Sequence, residues 1–329
     1  MTANKQHDGI SGAGEPLHPD VAALLADIQT AKIGGLSAGS VQEARAMLAR
    51  LRKDRAGPLM HAVLDRTLET QGGTLKLRAY EPTPDPFVTL LYFHGGGWVV
   101  GDLETSDFAA RHLAAATTAR VVSVNYRLAP EHRFPAALND AETALRWLAE
   151  WLGTQPADHR RIVAVGDSAG GNLASALALR MRDQEGPTIS AQILFYPVVD
   201  CDFTTRSYRE DADGGLLSTR DMQWCWAHYL PDATRRTDPF ASPLRAASFS
   251  GLPPSFVATA ALDPLRDEGR AYAERLRAAA VRVRIATTPE LCTAFLHCRI
   301  GWRRRVNCCA IVQNFCLTKG CYRIVPMSA

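Results

Sequence analysis

From residue 74 to residue 287 the chain alternates short apolar runs with longer stretches of helical periodicity, and this rhythm limits the fold more than any other feature. Residues 74–80 alternate apolar with polar side chains, as a half-exposed strand does. Phe87-Val-Thr-Leu-Leu-Tyr-Phe93 is almost continuously apolar, the pattern of a strand buried on both faces. Further strands are predicted over 120–125, 161–166, 191–196, 255–260 and 281–287, and helices over about 105–118, 136–152, 169–182 and 266–279. A helix after nearly every strand gives an α/β fold, a mostly parallel sheet covered on both sides. Residues 1–16 read as a flexible, polar leader, and two helices are predicted within 17–55. The first carries Val21, Leu24, Leu25 and Ile28 at helical spacing. The second opens on Ser40-Val-Gln-Glu43, a capping box. Residues 56–329 make the main domain, interrupted at about 201–238 by an insertion rich in Trp and Tyr. That insertion and the N-terminal helices are expected to form a helical cap, with Trp224 and Trp226 crowding a substrate pocket.

Two glycine-rich segments carry the chemistry. Gly166-Asp167-Ser168-Ala169-Gly170 follows a predicted strand and opens a predicted helix, the setting in which G-x-S-x-G is a nucleophile elbow. Its glycines allow a sharp turn that leaves the Ser168 hydroxyl exposed at a helix N-terminus. His94-Gly95-Gly96-Gly97-Trp98 comes directly after the buried strand. Acyl transfer needs backbone N–H donors aimed where an oxyanion develops, and consecutive glycines allow that approach. A phosphate-binding loop does not fit, because no Lys-Ser/Thr follows and G-x-G-x-x-G is absent.

With Tyr126-Arg-Leu-Ala-Pro-Glu131, Phe134-Pro135 and Asp263-Pro-Leu-Arg-Asp-Glu-Gly269, these segments resemble the bacterial hormone-sensitive-lipase family of α/β-hydrolases, the family IV esterases. The resemblance implies an eight-stranded sheet, a helical cap, no cofactor and hydrolysis of short- to medium-chain carboxylic esters. It assigns Ser168 as nucleophile, Asp263 as the triad acid, and the N–H groups of Gly96, Gly97 and Ala169 as the oxyanion hole, supported by His94, Gly95 and Asp167.

The histidine departs from the family. The family's Pro-Gly-x-x-His-Gly-Phe loop aligns with Pro289-Glu-Leu-Cys-Thr-Ala-Phe295, which puts Thr293 in the histidine position. Of the nine histidines only His297 follows Asp263. Three readings stand open: His297 serves in a rebuilt loop, the triad is weakened or lost, or the end of the chain is foreign, as after a frame shift near residue 290. The last draws on composition. Residues 291–329 contain six of the eight cysteines and six Lys/Arg but no Asp or Glu. The cysteine spacing fits no zinc pattern, so no metal is expected. The basic residues lack the dense, aromatic-interleaved pattern of a nucleic-acid arm. A non-catalytic reading also stands: plant gibberellin receptors resemble the same family, keep both glycine segments and lack the catalytic histidine.

The formal net charge is +3, and no apolar run reaches the 18 residues of a membrane span. With no apolar N-terminal signal, the expectation is a cytoplasmic protein, without stable membrane insertion or nucleic-acid partner. The expected partner is a small-molecule ester, and a homodimer is compatible with the sequence.

Overall fold

The computed structural model describes residues 34–52, 56–70, 72–210 and 217–292. The leader, the helix predicted near Pro19, Thr293, His297 and most of the Cys-rich tail lie outside the described residues.

Eight strands form one sheet: β1 (Ala62–Thr70), β2 (Gly73–Glu81), β3 (Val88–Phe93), β4 (Arg120–Asn125), β5 (Arg161–Asp167), β6 (Ala191–Phe195), β7 (Ser255–Leu262) and β8 (Val283–Cys292). Their order is β1-β2-β4-β3-β5-β6-β7-β8; β2 pairs antiparallel with both β1 and β4, and β3 to β8 are parallel to one another. The helices are α1 (Val41–Arg52), α2 (Leu103–Thr117), α3 (Ala136–Gly153), α4 (Ala169–Asp183), α5 (Arg206–Glu210), α6 (Thr219–Tyr229) and α7 (Arg266–Ala278).

Strand β3 shows why both faces must be covered. Leu90 and Tyr92 join one apolar cluster with Leu113 of α2, while Leu91 and Phe93 join the other with Leu145 of α3 and Leu173 of α4. The chain lays β4 on one side of β3 and then crosses through α3 to place β5 on the other. The strand order therefore reverses at β3, and the carboxyl ends of β3 and β5 meet at the switch point where open α/β sheets as a class bind their ligands. Among the described residues no helix is long and apolar enough to cross a membrane.

The structure adds one strand and moves two element bounds. Strand β1 was not predicted, because all but three of its residues are exposed and it lacks an apolar alternation. Helix α2 starts at Leu103 and not at residue 105, since Asp102 is its cap: the carboxylate accepts the Thr105 N–H at 2.7 Å and the Thr105 hydroxyl accepts the Asp102 N–H at 2.9 Å. Strand β8 runs through Pro289 to Cys292, five residues past its predicted end. It stands at an edge of the sheet, where a residue without an N–H is tolerated.

Candidate active site

Ser168 follows the last residue of β5 and is only half-buried, with φ at +54°. Such a backbone is rare for a residue with a Cβ. It holds because three hydrogen bonds fix the turn: the Ser168 N–H donates to Phe195 O at 2.9 Å, and its carbonyl accepts from Asn172 at 3.0 Å and Val198 at 3.1 Å. The two elbow glycines permit the packing. A Cβ on Gly166 would overlap the Gly170 carbonyl, and one on Gly170 would overlap Phe93 O and come within 2.7 Å of His94 O. The elbow is thus pressed against the start of the glycine loop.

Asp167 locks the same contact with polar bonds. Buried at the end of β5, its carboxylate accepts the Tyr92 hydroxyl at 2.7 Å and the Gly95 N–H at 3.0 Å. His94 is structural. Fully buried, its ring stacks on Tyr126 at 4.3 Å and its Nδ1 lies 2.8 Å from Gly95 O, so Nδ1 carries the proton. Burial lowers its pKa, leaving the imidazole neutral. The Tyr126 hydroxyl donates to His94 O at 2.7 Å.

Among the described residues no hydrogen bond is donated by the N–H groups of Gly96, Gly97 or Ala169. Trp98 pins the loop: it is fully buried, stacked on Tyr229 at 4.1 Å and edge-on to Trp226 at 4.9 Å. Trp226 thus packs against the loop, while Trp224 sits on another face of α6 against His228. Cys225, also on α6, touches the loop directly: a Cβ on Gly97, whose φ is +58°, would overlap its sulfur. Burial raises its thiol pKa, so it packs as an apolar group.

Two outer contacts hold this assembly. The segment 126–135 wraps the loop, with Ala129 N–H donating to Trp98 O at 2.9 Å and Phe134 N–H to Tyr229 O at 2.9 Å. Arg45 of α1 donates to Val99 O at 2.9 Å and Ala129 O at 3.0 Å, and grips the Glu131 carboxylate with two bonds of 2.7 and 2.8 Å. That ion pair holds the Glu131 pKa down at about 2.

Asp263 lies one residue past β7, fully buried, with Oδ1 accepting the Leu265 N–H at 2.9 Å. It thus shares the carboxyl edge of the sheet with Ser168 and the glycine loop. Of the residues the sequence singled out, the structure brings Ser168, Asp167, His94, Gly95, Gly96, Gly97 and Ala169 into one contiguous unit. His297, the predicted base, lies outside the described residues. Sequence reasoning missed Arg45 and Cys225. The signal for Cys225 was its place with Met222, Trp226 and Tyr229 at the i, i+3, i+4, i+7 spacing of a buried helix face. Among the described residues no cluster of three His, Cys, Asp or Glu could hold a metal.

A serine on a strained strand-to-helix turn, facing a glycine loop where the strand order reverses, defines an α/β-hydrolase site. Comparison with known proteins agrees. Residues 90–297 match a family described by the α/β-hydrolase fold. The carboxylesterase NlhH of Mycobacterium tuberculosis is 38% identical over 289 residues, spanning 85% of this chain and 90% of the relative. The ethyl acetate hydrolase of Pseudomonas putida is 36% identical, spanning 85% of this chain and 92% of the relative. The structure of an ester hydrolase from the Lake Arreo metagenome, complexed with a bipyridine phosphonate derivative, superposes with a TM-score of 0.85 at 34% identity, covering 91% of this chain and 99% of that one. The chain belongs to the hormone-sensitive-lipase family of α/β-hydrolases.

Proposed function

We propose that this protein is a serine carboxylesterase acting on short- to medium-chain esters. The observation that carries the reading is the strained Ser168 elbow, held against a glycine loop whose Gly96 and Gly97 N–H groups, with that of Ala169, have no acceptor of their own among the described residues. In this reaction the Ser168 hydroxyl oxygen attacks the ester carbonyl carbon and its proton passes to a base. The carbonyl oxygen takes up negative charge, which the three N–H groups stabilise without reorganising. The C–O bond to the alcohol then breaks, and the departing oxygen receives the proton. Water releases the acyl group by the same steps in reverse order. Asp263 orients the base and stabilises its charged form.

The base is the incomplete part. His297 is the histidine that chain order allows, and Thr293 occupies the family position, so turnover proceeds through an impaired triad. The register supports this: Leu262 pairs with Cys292 across β7 and β8, and the residues that follow them are Asp263 and Thr293. The relatives' names, a carboxylesterase and an ethyl acetate hydrolase, support an ester substrate, the second of them one with a two-carbon acyl group. The rival reading, a binding protein that keeps the fold without turnover, draws on Thr293 alone. The deciding experiment is hydrolysis of p-nitrophenyl esters of increasing acyl length by the wild-type protein and Ser168→Ala. Activity peaking at short to medium chains and abolished in the variant is expected. Undiminished turnover in Ser168→Ala, or a peak at the long-chain end of the series with still higher activity on emulsified triglyceride assayed alongside, overturns the reading.

A further inference from the structure

Glu268, in the first turn of α7, is 1% exposed. One carboxyl oxygen accepts the Val199 N–H at 2.8 Å, and the N–H of the preceding residue, Val198, donates to Ser168 O at 3.1 Å. The side chain therefore ends on the turn that underlies the nucleophile. Its helix begins just after Asp263, and Asp263 lies close enough to act on it electrostatically. The surroundings are acidic or neutral on every side. Asp200 faces it from the turn after β6, Asp263 from the loop after β7, and the Tyr208 hydroxyl from α5.

The nearby cations are committed elsewhere. Arg245 pairs with Asp200 at 2.7 Å, and Arg266 pairs with Glu210 at 2.8 Å and Asp267 at 3.0 Å. Among the described residues no basic side chain forms an ion pair with Glu268. A buried carboxylate without a cation, beside two other carboxylates, is strongly disfavoured against its protonated form. Burial and the neighbouring acids hold its pKa well above the usual range.

We propose that Glu268 is a positioning residue, joining the turn that carries Ser168 to the loop that carries Asp263 through an un-ionised carboxyl group. As a neutral acid it accepts the Val199 N–H without setting a second negative charge beside Asp263, where it would compete for the cationic base. The catalytic part of this role rests on the esterase reading; the protonation state does not.

The test is made on the full-length protein, as wild type, Glu268→Gln and Glu268→Ala. Thermal unfolding is followed from pH 5 to pH 8. An acid that keeps its proton when folded and loses it when unfolded makes the wild type less stable as pH rises, whereas Gln cannot titrate. The Tm of Glu268→Gln minus that of wild type is therefore expected to grow by about 2 °C per pH unit. A difference that stays constant, or shrinks with pH, overturns the proposal. In the same series Glu268→Ala is expected to lower kcat on p-nitrophenyl acetate by about tenfold with KM little changed, and Gln to restore most of it. Equal loss in Gln and Ala overturns the positioning role. A wild type without turnover would count against the esterase reading alone, because the pH series of Tm needs no activity. Should Glu268→Ala fail to fold, the Gln and wild-type pair still decides.

Discussion

Replacing Gly170 by alanine tests whether the elbow and the glycine loop are held at contact distance. The new Cβ would overlap Phe93 O and stand 2.5 Å from Phe93 C and 2.7 Å from His94 O, inside the 3.0 Å that real Cβ atoms keep. These neighbours are backbone atoms at the end of a buried central strand, so no side chain can swing aside. The elbow and the loop must instead separate by about 1 Å, a displacement that costs on the order of 10² in rate when it parts a nucleophile from its oxyanion donors. Overpacking of this kind costs about 1–3 kcal/mol of stability. Gly153, the last residue of α3, is the control, since a Cβ there meets nothing within 4 Å. Gly153→Ala is expected to leave turnover intact and to change stability by at most about 1 kcal/mol, in the stabilising direction. Urea unfolding and p-nitrophenyl acetate hydrolysis measure both quantities on both variants. Wild-type stability and turnover in Gly170→Ala would refute the reasoning.

Three further outcomes are expected. Gly97→Ala meets Cys225 and a left-handed backbone together, so its kcat should fall by about 10², and Cys225→Ala in the same chain should restore only part of it, which steady-state kinetics will resolve. Arg45 lowers the Glu131 pKa from 4.5 to about 2, so the pair stabilises the fold above pH 4.5 and that contribution fades as pH falls toward 2. The Tm gap between wild type and Arg45→Ala should narrow over that window; a gap independent of pH would show the ion pair to be irrelevant. Thr293→His should raise ester turnover by about 10² or more, as a restored general base does, whereas brisk wild-type turnover lost in His297→Ala would show that His297 already serves.

What was legible in the sequence was what local geometry demands. Gly166 and Gly170 announce the elbow because any Cβ there collides with backbone, and Gly96 and Gly97 announce the loop because both have positive φ. The apolar run of β3 and the helix periodicities fixed the layers for the same local reason. The partners that hold the site were hidden because they come from distant segments: Cys225 lies 128 residues from Gly97, and Glu268 is 69 residues from Val199. Ordinary helix-face and helix-start positions do not reveal what they touch. Strand β1 was invisible because its exposed side chains carry no period-two pattern, and its place is set by pairing with β2.

The central claim is that Ser168 is the nucleophile of an ester hydrolase, and covalent trapping tests it most directly. The wild-type protein is incubated with a p-nitrophenyl alkylphosphonate, whose phosphorus is attacked by an activated serine with release of p-nitrophenol, and the modified residue is located by peptide mass spectrometry. One phosphonyl group on Ser168, loss of p-nitrophenyl acetate turnover in proportion to labelling, and no label in Ser168→Ala are expected. Turnover that persists with Ser168 fully blocked, or labelling confined to another residue, would contradict the claim.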